Sequence, residues 1–134
     1  MTIDISPLEN AISRLDAGLV RYRFDVTDTL IRDGLIRRFV FAYELGVKML
    51  KRYLEFASAS PTDYKDMPFQ DVIRSANEQG LLLGDWPVWR GYRDMRGKTS
   101  HTYAEHTALE VVKGIPDFLA ETGHLRDMLR RRLK

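Results

Sequence analysis

The sequence predicts an all-α protein whose long second helix suits a bundle. Three observations carry that expectation. Apolar residues recur at steps of three and four through most of the chain, and the breaks between those stretches hold helix-capping residues. No segment alternates apolar and polar residues as a half-buried strand does. The 134 residues, 44% of them hydrophobic, fit one domain with a real core, so wholesale disorder is excluded. The chain has no cysteine, which removes a disulfide framework, a thiolate zinc site and a Cys nucleophile. A formal charge of +2 is too near balance to argue for nucleic-acid binding from the total.

Ser6-Pro7-Leu8-Glu9 reads as a capping box with Pro at the first helical position. Behind it, Leu8, Ala11, Ile12, Leu15, Leu19 and Tyr22 form the stripe of a first helix. Asp25 to Asp28 is a polar break that supplies the next N-cap. From about Thr29 to Ala57 there is no Pro, and Ile31, Leu35, Phe39, Ala42, Leu45, Met49 and Tyr53 keep the helical spacing. At 1.5 Å per residue that helix is roughly 43 Å long, a length suited to a bundle. The two glycines within it, Gly34 and Gly46, mark places where another helix could come close. Glu44 and Lys48, one turn apart, are expected to form a surface ion pair.

Ser58 to Met67, with Pro61 and Asp63, is a loop. Pro68 opens a third helix through Val72, Ile73 and Ala76, which Gly80 closes. A fourth opens at Asp85-Trp86-Pro87 and runs to Arg96, with Trp86, Trp89 and Tyr92 read as core or interface aromatics. Gly97 to His101 is a polar break. Thr102-Tyr103-Ala104-Glu105 reads as a second capping box, with Thr102 as N-cap and Tyr103 as the first helical residue. Leu109, Val112, Ile115, Phe118 and Leu119 carry the last stripe. Pro116 is expected to kink that helix and Gly123 to bend or interrupt it. Arg130 to Lys134 is a basic helix end that complements the dipole and is read as solvated.

Among His101, His106 and His124, only His101 stands in a polar break, five positions after Arg96 and two before Tyr103. A short turn there would fold the Arg96 and His101 side chains into one cleft. A guanidinium is always charged and offers a planar fork of donors to a phosphate. An imidazole can take a proton from an RNA 2′-hydroxyl near neutral pH, and attack on the adjacent phosphate then needs no metal. His101 with Glu105, or Glu105 with His106, could begin a metal site, but no third ligand is near in sequence, and none is assigned. The same residues, taken alone, also fit a solvated surface. The N-terminal stretch Met1 to Asp4 lacks a basic and an apolar leader region, and no apolar run approaches the ~20 residues of a membrane span. A cytoplasmic location is expected.

Several blocks of this sequence resemble the HEPN superfamily, and within it the small subunit encoded beside a minimal nucleotidyltransferase. They are Ile31 to Phe39 with Tyr43, Glu44, Leu45 and Lys48; Gln70 to Arg74 with Gly80 and Leu81; and Arg96 to Tyr103, which fits the pattern Arg-x4-His-x-Tyr. The resemblance covers most of the chain, from about residue 8 to 130. The resemblance implies one HEPN-like domain over residues 1–134, an antiparallel up-and-down bundle of four to five helices that forms a homodimer. It implies a metal-independent endoribonuclease toxin with Arg96 and His101 as catalytic residues and RNA, not DNA or a membrane, as its target. The partner it implies is a nucleotidyltransferase antitoxin that inhibits the toxin by AMPylation of Tyr103, while this chain needs no cofactor of its own. Gly97 stands where many members carry Asn, Asp or His, and Lys98, Thr99 or Ser100 are candidates to supply the missing contact. Two further readings share the fold: a non-catalytic nucleotide- or substrate-binding subunit of a two-component nucleotidyltransferase, and a dimeric bundle used for assembly.

Overall fold

The computed structural model describes residues 3–134; Met1 and Thr2, part of the stretch read for a leader, lie outside them. The described residues form five α-helices and no strand: α1 (Ser6–Phe24), α2 (Thr29–Ala57), α3 (Phe69–Glu78), α4 (Trp86–Lys98) and α5 (Glu105–Arg132). Pro61–Tyr64 and Thr99–His101 are short 3₁₀ turns. The expected all-α fold is therefore what the chain adopts.

α1 and α2 form a hairpin because the Asp28 carboxylate caps α2, accepting from the Leu30 and Ile31 N–H groups at 3.0 and 3.1 Å. α5 packs against α1, α2 and α4, and the core lies where these faces meet. Phe39 of α2 meets Phe118 of α5 edge-on at 4.9 Å, and Trp89 of α4 meets Tyr92 the same way at 5.3 Å. Both residues of the latter pair are buried, as expected of core aromatics. Trp86 is half-buried at the edge, between Phe69 and the Arg93 guanidinium. Gly46 admits Leu8 of α1 and Thr122 of α5 close to the α2 backbone, whereas nothing approaches Gly34. α3 ends in a Schellman motif. Gly80 takes φ +78°, its N–H reaches the Asn77 carbonyl at 3.0 Å, and the Leu81 N–H reaches that of Ala76 at 3.0 Å.

Several local expectations are corrected. Ser6 does not cap α1; it is already helical, and Asp4 Oδ1 accepts its N–H at 2.9 Å. A charged acceptor two residues back outcompetes a hydroxyl, and Glu9 is drawn instead to Arg130 at 2.5 Å. Gly97 and Lys98 are still helical, so the break starts at Thr99. Thr102 is no N-cap and Tyr103 is not helical. The 3₁₀ turn holds the Thr102 hydroxyl toward the Thr99 carbonyl at 3.4 Å, and α5 begins at Glu105 without a side-chain cap. Gly123 does not interrupt α5, which stays helical from Glu105 to Arg132 with Pro116 inside it. Leu109 is exposed, and Ala108 and Val111 take the buried places on that turn. The basic end is tied down more than expected: Arg132 donates to the Gln79 carbonyl, and Arg130 pairs with Glu9.

Candidate functional site at the turn between α4 and α5

Arg96 lies on the last turn of α4 with about a third of its side chain exposed. Its guanidinium is fixed from two sides. Nη2 donates to Glu44 Oε1 of α2 at 2.7 Å, and Nη1 donates to Thr99 Oγ1 at 3.2 Å. The Thr99 hydroxyl in turn donates to the Arg96 carbonyl at 2.6 Å, which also accepts the Thr99 N–H at the helix end. Glu44 is thus the partner of Arg96 rather than of Lys48. The tertiary contact reaches across to α4, and the in-helix pair expected from spacing does not form.

A groove of about 350 Å³ opens beside Arg96. One wall is the turn, with Thr99, Ser100 and Thr102; the other is a face of α2, with Asp33, Ile36, Arg37 and Val40. Spacings of three, one and three put those four α2 residues on one stripe, which borders the core stripe and shares Ile36 with it. Two further hollows of 390 and 450 Å³ lie against α1, away from Arg96, so size alone does not select the site.

His101, at the end of the 3₁₀ turn, is exposed and does not line this groove. Its ring faces that of Tyr103 edge-on, with centroids 6.0 Å apart. Tyr103 is 87% exposed, so its hydroxyl is open to another macromolecule. The turn therefore keeps Arg96 in the groove wall, with His101 and Tyr103 together on the outer surface. Ser100 joins the groove. Lys98 turns to Glu110 at 2.8 Å, a hydrogen bond that raises the lysine above its ordinary value and lowers the carboxyl below its own. His106 contacts Thr107, and His124 lies against the Gly80 carbonyl at 3.1 Å.

Behind the turn, the Tyr43 hydroxyl is raised above its usual range chiefly by burial, with Arg93 and Arg96 pulling the other way. Burial, assisted by Glu121 and Asp117, pushes Tyr92 up to about 12. Both phenols therefore stay protonated at neutral pH. Among the described residues no three His, Asp or Glu come together to hold a metal ion, and no helix is long and apolar enough to cross a membrane.

Sequence reasoning named Thr99 as a candidate contact but missed the places of Glu44, Arg37, Asp33 and Thr102 around Arg96. The α2 residues carried a signal, the polar stripe beside the core stripe, but only the register of α2 against α4 turns that stripe toward Arg96.

A bundle of this topology, carrying an Arg-x4-His-x-Tyr turn beside its long second helix, is a HEPN-type helical domain. The profile of proteins described as "nucleotidyltransferase substrate binding protein like" matches residues 3–131. A Haemophilus influenzae protein named probable ribonuclease HepT is 37% identical over 138 aligned positions, covering 97% of this chain and 94% of that one. A solved H. influenzae structure, described as the fold of a substrate binding domain of a nucleotidyltransferase, superposes with a TM-score of 0.88. It is 36% identical, and the match covers 95% of this chain and 99% of that one. The chain belongs to the nucleotidyltransferase substrate-binding-protein-like family.

Proposed function

We propose that this protein is a metal-independent endoribonuclease, the toxin of a pair whose nucleotidyltransferase partner inhibits it by AMPylation of Tyr103. The observation that carries the reading is the one short turn that holds the Arg96 guanidinium at a groove and carries an exposed His101 imidazole just outside that groove's lining. The relative named as a probable ribonuclease supports it, as the family description supports a nucleotidyltransferase partner.

In this reaction the His101 imidazole removes the proton of an RNA 2′-hydroxyl, and that oxygen attacks the adjacent phosphorus. The bond to the 5′-oxygen breaks, and the leaving oxygen takes a proton. The products are a 2′,3′-cyclic phosphate and a free 5′-hydroxyl. Arg96 balances the charge that builds on the phosphoryl oxygens. In the homodimer, two copies of the turn would border one cleft. For control, the Tyr103 hydroxyl loses its proton to solvent as its oxygen attacks the α-phosphorus of an ATP held by the partner; the new O–P bond forms, the bond from that phosphorus to the α,β-bridging oxygen breaks, and pyrophosphate leaves. The added phosphate places negative charge beside Arg96 and bars RNA.

A second reading, a subunit that binds nucleotide or substrate for the nucleotidyltransferase and cleaves nothing, rests on two observations. Glu44 already occupies Arg96, and Gly97 carries no side chain to orient His101. Expression of the wild type, Arg96→Ala and His101→Ala, with growth and RNA cleavage followed in EDTA, separates the readings. Arrest and cleavage by the wild type alone are expected of the toxin. Identical behaviour of all three would move the protein to the binding-subunit reading. For Tyr103, intact mass should rise in AMP-sized steps with the partner and ATP, and Tyr103→Phe should show no such rise.

A further inference from the structure

The groove beside Arg96 has a second cation. Arg37 lines it from α2, and among the described residues no carboxylate lies within ion-pair distance of the Arg37 guanidinium. The other arginines on this stretch of α2 are already engaged. Arg32 is buried against Glu105 at 3.3 Å, and Arg38 donates to the Arg14 carbonyl at 2.7 Å. The Arg37 guanidinium lies 5.1 Å from the centroid of the Phe41 ring, a contact that leaves its in-plane donors open. Ser100 and Thr102 add hydroxyls to the same hollow. Asp33 is the one carboxylate in its lining and makes no ion pair with Arg37.

We propose that Arg37 is a second phosphate-binding residue of this groove, holding a non-scissile phosphate of the strand whose scissile phosphate lies at Arg96. The inference rests on the ribonuclease reading and adds to it a direction for the strand: along α2, from the turn toward Arg37. The two arginines divide the labour. Arg96 has two of its donors committed to Glu44 and Thr99, which suits a group that must be held still for a transition state. Arg37 is exposed and unpaired by any carboxylate, which suits a group that gains a partner only when a polyanion arrives.

The test uses the full chain as wild type, Arg37→Gln, Arg37→Lys and Asp33→Asn. The binding probe is a 2′-O-methyl RNA oligonucleotide, which has no nucleophile and is not cleaved. Removing one phosphate contact should weaken binding of Arg37→Gln about three- to tenfold at low salt and lower the slope of log affinity against log salt by about 0.7. Arg37→Lys should restore the slope, and Asp33→Asn should tighten binding. Single-turnover cleavage of ordinary RNA at saturation should stay within about twofold of wild type for Arg37→Gln, since a non-scissile contact acts in binding. Unchanged affinity and slope in Arg37→Gln, with or without a lower melting temperature, would overturn the proposal and leave Arg37 as a partner of Phe41. A collapse of the saturated rate with binding intact would overturn it too, by placing Arg37 at the reacting phosphate. If the wild type neither binds nor cleaves RNA, the ribonuclease reading beneath it fails as well.

Discussion

Arg96 at the end of α4 and Glu44 in the middle of α2 are joined at 2.7 Å, so the guanidinium of the motif is held by a helix distant in sequence. The Thr99 hydroxyl completes the grip from within the turn. A guanidinium held at two nitrogens keeps one orientation, and its remaining donors face a defined direction.

Glu44→Gln should therefore separate stability from function. Both side chains are substantially exposed, at 34% and 54%, so water screens the pair and its loss should cost about 0.2–1 kcal/mol in urea denaturation. If the protein cleaves RNA as proposed and the reaction depends on the orientation of Arg96, the same change should slow single-turnover RNA cleavage by about ten- to a hundredfold. Wild-type cleavage by Glu44→Gln would show that Thr99 alone is sufficient to hold Arg96.

Gly97, directly after Arg96, is helical, and a Cβ built on it meets no atom within 4 Å. An interior helical glycine with free space costs stability through the entropy of the unfolded chain. Gly97→Ala should stabilise the protein by about 0.4–1 kcal/mol, read as a higher melting temperature. A lower melting temperature would mean that the α4 end relies on glycine at this position.

Much of the bundle was legible in the sequence because the signals were local. Asp28 caps α2 within three residues, Gly80 takes the left-handed conformation that ends α3, and the α1 and α2 stripes are almost wholly buried. Misreadings occurred where two local signals competed. Ser6 and Thr102 each sit three residues before a Glu, yet Asp4 captured the first amide and the 3₁₀ turn captured the second hydroxyl. The site was legible only on its own loop. Arg96, His101 and Tyr103 form one short motif, whereas Glu44, Arg37 and Asp33 join it through helix register, which no local pattern records.

Glu121 illustrates a carboxylate whose work is architectural. It is 3% exposed, and its two oxygens accept the N–H groups of Leu83 and Gly84, each at 2.7 Å. These bonds pin the α3–α4 connection to α5, and Gly84 is required there because a Cβ would fall 2.9 Å from Glu121 Oε1 and 2.7 Å from Val88 Cβ. Glu121→Ala should cost on the order of 3 kcal/mol, since both amides lose a charged acceptor. Hydrogen exchange at Leu83 and Gly84 should accelerate well beyond that of the α2 core. Unchanged protection at those two amides would mean that other groups hold the connection.

Asp4 makes the start of α1 sensitive to acid. Hydrogen bonds from Ser6, the side chain first and the backbone N–H next, hold its carboxyl below the ordinary 3.8. The charged form is thus favoured by folding, and the positive end of the helix dipole acts in the same sense. A carboxyl lowered on folding contributes stability that is complete above 3.8 and is lost as pH falls through the lower folded value. Asn at this position keeps an acceptor oxygen and removes only the charge. The wild type should melt above Asp4→Asn at neutral pH, and the gap should hold constant until the pH nears 3.8, then close in stronger acid. The lowered Glu110 loses its contribution in the same acid range and the raised Lys98 loses its own only above its ordinary 10.5, but both change alike in wild type and Asp4→Asn and cancel in the gap. A gap that stayed open in strong acid would show that Asp4 acts through its shape and acceptor atoms, and that its charge adds nothing to the helix start.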